Sequence, residues 1–409
     1  MILKDLLESS PAGSVVCAPV PSAQALQLDW MARCPLACTP FPRRFETGWR
    51  PFGGVAGELV GWSARNAMFG RHCRQLVRDI SHTIATQEIR RVWAVLDCPT
   101  VIQIADHIAA QLGVPLSVMV WDAPELLVAQ LRLDRWSGRS LLGRFERVLK
   151  QADRVGVICE QMQSAYEQRF GAGHYVVMRH GISESLWQPA SADRSPHELR
   201  IGFAGSMTSP QAFQQLIQVL NACHWKISER SVTLRLIGSR YTLDSRMPQH
   251  IEYFGWRTLD ETVQLLAECD LLYLPQPFET RLRDLAALSF PTKLTSYLAA
   301  GRPVLLHAPE YASIVPLFSK YQFGRWCPYA DADALSDVLT QMANSVSGPE
   351  IRTAIEKARS EEFCQSVFLS RFRELTGIAA GVAAGDSPAK ADVAKAAASN
   401  QYFSGLVKH

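Results

Sequence analysis

Short apolar runs alternate along most of the chain with stretches whose apolar residues recur at three- and four-residue spacing. Unbroken apolar runs bounded by turn residues suit buried strands, and the wider spacing suits amphipathic helices. The alternation therefore predicts parallel sheets flanked by helices. In the first half, Ser14–Val20, Arg91–Leu96, Leu116–Val120, Val155–Cys159 and Tyr175–Met178 are predicted strands. Thr100–Leu112 and Gln161–Phe170 have helical spacing and stop at Gly113 and Gly171. Residues 23–90 break the pattern: they are aromatic, rich in Pro and Gly, and carry Arg43, Arg44, Arg50, Arg65, Arg71, Arg74 and Arg78. Loops and helices are expected there, without assignable bounds.

A polar, aperiodic segment with two prolines, Ile182–Glu198, separates this series from a second one. The second opens with strand Leu199–Ala204 and a helix for which Ser209 and Pro210 offer an N-cap and a pre-shaped first residue. Strands Val232–Ile237 and Ile251–Phe254 follow, then a helix opened by Thr258-Leu259-Asp260-Glu261, a capping box. Strands Leu271–Leu274, Pro303–His307 and Gly324–Cys327 and the helix Ala332–Met342 complete the series. Residues 349–375 read as one or two terminal helices. The Ala-, Gly-, Lys- and Ser-rich tail 376–409 offers little to bury and is expected to be mobile. The expected fold class is α/β, with two Rossmann-like domains, 1–182 and 199–348, joined by a linker at 183–198 and facing across a cleft. The terminal helices 349–375 are free in this reading to cross back.

A length of 409 residues exceeds what one core usually organises, which agrees with two domains. With 47% hydrophobic and 20% charged residues the chain is globular, and a formal charge of +3 gives no reason to expect nucleic acid. Ten cysteines include no CxxC pair, so neither a zinc site nor a disulfide framework is read; reduced thiols in a cytoplasm are expected. Met1–Gly13 carries acids and a proline ahead of any long apolar run, which does not fit a secretory leader. No apolar stretch approaches the roughly 20 residues that span a bilayer. The expectation is a soluble protein, or one that touches the inner membrane face only peripherally.

The densest local signal is Leu288–Leu306, which reads LSFPTKLTSYLAAGRPVLL. Pro291 suits a helix start, Lys293 falls in the first turn, Gly301 suits the stop, and Pro303–His307 leads back into a sheet. Free backbone N–H groups at a helix start, with a lysine beside them, form a phosphate site. Ser289, Pro291 and Lys293 in this setting match a Ser-x-Pro-x-Lys pattern. Here the sequence resembles the C-terminal half of GT-B glycosyltransferases, the retaining, nucleotide-sugar-dependent kind that builds surface glycans. The resemblance implies that Pro291, Thr292 and Lys293 hold the donor diphosphate. It also implies that 199–348 binds the donor, that 1–182 faces the acceptor, and that no metal or other cofactor is needed.

By the same resemblance, Gly205 and Ser206 approach the donor phosphates; the plain alternative is a tight turn that needs glycine. No lysine or arginine occurs between Ser206 and Trp225, so the diphosphate charge falls to Lys293, then to Arg240, then to Arg281 and Arg283. Gly255 and Trp256 border the nucleobase, with Trp256 either stacking on it or packing internally. The family commonly carries two glutamates separated by seven residues; Leu288 and Ser296 occupy those positions here, leaving Ser296 as a neutral partner for the ribose. In the first domain Asp122, at the end of strand Leu116–Val120, is the acceptor-side catalytic candidate, with Glu125 and Asp97 behind it. The plain alternative for Asp122 is a helix N-cap. Arg132–Arg154 holds seven basic and three acidic residues around a helical apolar stripe. It reads as an ordinary surface helix, with a membrane-lying helix as the alternative.

The expected function is sugar transfer from a nucleotide-diphosphate donor to a glycan, lipid-linked or small-molecule acceptor, with retention. The alternative is a degenerate protein of the same fold that binds a nucleotide or partner without catalysis, which the absent glutamates favour. A nucleotide-sugar epimerase or phosphorylase on the same plan has no positive support.

Overall fold

A computed structural model describes Leu6 and residues 15–20, 40–189, 195–345 and 349–378. The first sheet holds four parallel strands in the order β1 (Val92–Val95), β2 (Leu116–Met119), β3 (Arg154–Val157) and β4 (Tyr175–Val177). Around it lie α1 (Gly54–Ile84), α2 (Pro99–Leu112), α3 (Pro124–Gln130), α4 (Arg135–Gln151) and α5 (Glu160–Phe170). Gly113 ends α2 in the left-handed region, as its place after the apolar stripe predicts.

The second sheet runs β11 (Gly324–Cys327), β10 (Val304–His307), β9 (Leu271–Pro275), β5 (Glu198–Ala204) and β7 (Arg230–Ile237). Beyond β7, β8 (Ile251–Gly255) pairs with it in parallel, and the two-residue β6 (Lys226–Ile227) pairs antiparallel at its start. Taking parallel strands in chain order, the arrangement is 3-2-1-4-5-6, with β5 first and β9 fourth. Strand order therefore reverses between β5 and β9, and a crevice opens beyond their carboxyl ends, where open α/β sheets bind ligands. The first sheet, in strict sequential order, has no such reversal among its described strands.

Helices α6 (Pro210–Ala222) and α11 (Ala332–Ser345) pack with one face of the second sheet. Also in this domain are α7 (Leu259–Ala267), α8 (Arg283–Leu288), α9 (Lys293–Ala299) and α10 (Val315–Tyr321). The capping box at Thr258 and Glu261 is formed in full. Chain end α12 (Pro349–Ala358) leads through a π-turn, Arg359–Phe363, into α13 (Gln365–Thr376). α13 lies against β3 and β4 of the first sheet. There Ser117 Oγ donates to Leu375 O at 2.7 Å, and Phe372 meets Trp93 edge-on with ring centroids 4.9 Å apart.

Several expectations are corrected. Residues 15–20 form no strand, since Pro19 has no N–H to give a ladder. Ser209 precedes α6 but makes no cap bond; its hydroxyl is turned to Pro275 O at 3.4 Å. Helix α9 begins at Lys293, so Pro291 stands ahead of Thr292, the cap, and not at the first helical position. The N–H groups of Leu294 and Thr295 already turn back to Pro291 O and Thr292 O, which removes two of the donors expected to be free. The segment 276–289, for which the sequence pattern above assigns no element, contains a 3-10 turn and α8. Helix α4 buries Leu141, Phe145, Val148 and Leu149 in the core, so its apolar face is not available to a membrane. The linker's middle, 190–194, and the tail past 378 lie outside the described residues.

Candidate functional site

At the switch point the chain makes three sharp turns on neighbouring strands. Gly205 after β5, Gly238 after β7 and Gly255 ending β8 have φ of 89°, 117° and 66°, values that L side chains rarely adopt. A Cβ on Gly238 would come within 3.2 Å of Gly205 O, so the first two turns touch backbone to backbone. Tyr241 fastens this rim: its hydroxyl accepts Met207 N–H at 2.6 Å and donates to Gly205 O at 3.2 Å. Tyr253 in turn donates to Tyr241 O at 2.8 Å. Neither tyrosine was singled out by the sequence, where nothing marks a rim clamp.

Helix α9 is pinned beneath the same rim by Tyr297, whose side chain is fully buried. Its hydroxyl accepts Ala204 N–H at 3.1 Å and donates to Tyr273 O at 3.0 Å, tying α9 to the ends of β5 and β9. Lys293, one turn earlier on the same helix face, reaches over Phe203 with Nζ 4.3 Å from the ring centroid. Its Nζ donates to Ser206 O at 2.7 Å. No carboxylate pairs with it among the described residues, and burial pushes its pKa down to about 7. A lysine so placed holds a costly charge that an anion at the Gly205–Ser206 turn would compensate.

The remaining candidates are spread around this centre. Thr292 is exposed, and Pro291 and Ser296 are half-buried. Arg240, exposed, stacks over Tyr253 with its guanidinium carbon 5.6 Å from the ring centroid. Trp256 is 55% exposed at the end of β8, which removes the internal-packing alternative and leaves its ring open to a ligand face. Arg283 lies 4.0 Å over Tyr311. Asp122 does not cap α3, whose N-cap is Ala123. Its Oδ1 instead accepts from Ser289 Oγ at 2.5 Å, a bond from the first domain to the segment ahead of Lys293.

One carboxylate escaped the sequence reading. Glu279, in the turn after β9, has both side-chain oxygens buried and without a hydrogen-bond partner among the described residues. It belongs to the segment that borders the switch point, yet not to either glutamate position that the family pattern singles out. In the sequence it is marked only by Arg281, Arg283 and Asp284 close behind it.

Residues 198–345 match the family described as Glycosyl transferases group 1. The domain that carries Lys293 is thus a glycosyltransferase domain. No curated protein matches the sequence significantly. HepE of Anabaena, solved with UDP and glucose, is 16% identical; the likeness covers 91% of this chain and 94% of that one, with a TM-score of 0.57. The lipopolysaccharide outer core galactosyltransferase WaaB, in apo form, is 10% identical over 91% and 94% of the two chains, with a TM-score of 0.57. Sucrose-phosphate synthase of Thermosynechococcus elongatus is 13% identical over 89% and 95%, with a TM-score of 0.54. At these identities the likenesses establish the fold, two Rossmann-like domains on the GT-B plan, and extend it to the first domain.

Proposed function

We propose that the protein transfers a sugar from a nucleoside-diphosphate donor to a glycan, lipid-linked or small-molecule acceptor, with retention of configuration. The observation that carries this reading is Lys293, half-buried without a carboxylate partner at the switch point of a glycosyltransferase domain. When the bond from sugar to diphosphate breaks, negative charge grows on the leaving group. Lys293 and the backbone of the Gly205–Ser206 turn are preorganised to stabilise it, in a site where little solvent must reorient. That arrangement asks for no metal, and the proposal includes none. UDP in HepE supports a uridine nucleotide as the first donor to try. Trp256 and Gly255 would border the base, Ser296 the ribose, and Arg240 the outer phosphate. On the acceptor side, Asp122 faces the donor segment through Ser289. In retention of this kind the departing phosphate oxygen takes the acceptor's proton on the same face, so a strong enzymic base is not required.

A second reading, binding without turnover, is favoured by Leu288 and Ser296 standing where the family pattern has glutamates. Calorimetry with UDP, GDP, ADP and dTDP, followed by assay of nucleoside-diphosphate release from the matching nucleotide sugar with an acceptor extract, separates the two. Binding with release supports the transferase; binding alone moves the protein to the second reading; no binding overturns both. Location in the cytoplasm is part of the proposal. It is supported by eight cysteines that the structure shows free and by the lack of any described helix long and apolar enough to cross a membrane.

A further inference from the structure

The first domain carries a second recess, away from the cleft. A groove of about 740 Å³, within the range of ligand sites, lies between the last turns of α1 and α2 and the turn that follows α1. Its position follows from the direction of α2. That helix starts at Pro99, just past the carboxyl end of β1, and its 14 residues carry the chain about 21 Å back. The groove therefore opens at the amino-terminal edge of the first sheet, at the opposite end of the domain from Asp122. Arg78, Ser81, His82 and Ala85 recur at three- and four-residue spacing and form one stripe of α1 along it. Gln111 and Leu112 line it from the end of α2, and Gln87 and Ile89 close it. Ser81 is 6% exposed, and its buried hydroxyl has no hydrogen-bond partner among the described residues. A buried serine within a helix commonly bonds back to the carbonyl one turn earlier. An unpaired one in the wall of a groove is a polar group left for an occupant to satisfy.

Charge narrows the choice of occupant. Gln75 accepts from Arg78 at 2.8 Å and donates to Asp79 at 2.6 Å, so guanidinium and carboxylate balance across one amide. Both helices end here, and helix C-termini carry partial negative charge. A phosphate or sulfate would meet one arginine against a carboxylate and two such ends, while a cation would meet Arg78. A neutral ligand rich in groups that both donate and accept fits instead, as Ser81 and the two glutamine amides do both. We propose that the groove is a carbohydrate site, remote from the cleft, that holds a stretch of neutral oligosaccharide. Every sugar hydroxyl donates and accepts, and the aliphatic Ala85, Ile89 and Leu112 suit the C–H faces of sugar rings. A peptide is recognised through an apolar anchor pocket or an open strand edge, whereas this lining is helix ends and a turn. On the transferase reading, a glycan acceptor long enough to reach both sites gains effective concentration at the cleft. Binding in the groove itself does not depend on that reading.

The test is titration of the full chain with fluorescently labelled tetrasaccharides of glucose, galactose and mannose, and with a sulfated tetrasaccharide as the charged comparison. At least one neutral probe should bind, and better than the sulfated one. Gln87→Ala combined with Gln111→Ala, both at exposed positions, should weaken binding about tenfold or more with an unchanged melting curve. Ser81→Ala should weaken it about threefold to tenfold and leave the melting temperature equal or higher, because the hydroxyl it removes is unsatisfied in the free protein. The idea fails if no neutral probe binds, if the sulfated probe binds best, or if both groove variants bind as the parent does. It also fails if Asp122→Asn abolishes binding, which would place the sugar in the cleft. Transfer assays keep the two readings apart. Groove variants that lose the probe but still release nucleoside diphosphate with a small acceptor support the groove and leave the transferase reading whole. A parent chain that binds the probe at the groove and transfers nothing supports the groove and removes only the transferase reading.

Discussion

Ser289 donates a hydrogen bond to Asp122 at 2.5 Å, joining residues 167 positions apart on opposite domains. Ser289 is itself held from behind, because Ser313 Oγ donates to its carbonyl. The bond thus links the end of β2 to the segment that leads into Lys293, and any opening of the cleft at this point must break it. It also places a first-domain carboxylate within one side chain of the segment ahead of Lys293. Two roles for Asp122 follow from one geometry, a latch and a charge in the site, and substitution can separate them.

Asp122→Asn keeps an acceptor oxygen for Ser289 but removes the charge, while Ser289→Ala removes the latch and keeps the charge. If the charge acts in the transition state, Asp122→Asn lowers transfer about a hundredfold, or about 3 kcal/mol, with nucleotide affinity unchanged. Ser289→Ala then stays within about tenfold of the parent, the scale of one neutral hydrogen bond. Transfer rate and nucleotide affinity measured on both variants check this. Equal losses in the two would reduce Asp122 to a latch.

Lys293 makes binding and stability oppose each other. Its folded pKa of about 7 lies below its ordinary value, so the unfolded chain binds more protons between pH 7 and about 10.4. Stability of the ligand-free protein therefore rises across that window, and below pH 7 the full penalty applies. Lys293→Met should raise the melting temperature most at pH 6, with the gain fading towards pH 10. The same change should weaken nucleoside-diphosphate binding by about 1.5–3 kcal/mol. A bound diphosphate favours the charged amine, so binding above pH 7 should take up a proton and weaken as pH rises. Calorimetry at pH 8 in two buffers of different ionisation enthalpy reads that proton directly; no uptake would separate Lys293 from the phosphates.

Tyr297→Phe tests the support under the site. The loss strands Ala204 N–H and Tyr273 O in a dry interior, which costs about 1–3 kcal/mol per unsatisfied group. Denaturant unfolding should show a loss of about 2–6 kcal/mol for the two groups together, and nucleotide affinity should fall with it because Lys293 rides on the same short helix. A variant as stable as the parent would mean that water or a shifted helix satisfies both groups.

The second domain was legible for physical reasons that the first domain only partly shares. Runs such as Leu271–Leu274 are fully buried parallel strands, so nothing interrupts their apolar pattern. Helix α1 was illegible because the early part of its buried stripe is Gly57, Gly61 and Arg65, chosen for backbone contact and a bond to Glu46 O, not for apolar area. Its period is real but written in residues that hydropathy does not count. Lys293 and the Gly205 turn could be read locally because strand, turn and helix start are adjacent in sequence. Asp122 meeting Ser289, and Tyr241 clamping Gly205, depend on how distant segments dock, which no local spacing encodes.

Glu279 poses the sharpest remaining question, since a carboxylate whose two oxygens are buried and unpartnered among the described residues is a standing cost to the fold. Such a cost persists where a ligand relieves it, and in a sugar-nucleotide site the relief would come from donor hydroxyls. Glu279→Gln keeps the shape and removes the charge. The ligand-free variant should be at least as stable as the parent, by up to about 1–3 kcal/mol in its favour. If the donor sugar meets this turn, affinity for the intact nucleotide sugar should fall about tenfold or more, while affinity for the nucleoside diphosphate alone changes little. Paired titrations of donor and diphosphate against both proteins make the comparison. A less stable variant with unchanged donor binding would show that Glu279 is held by the fold for its own sake.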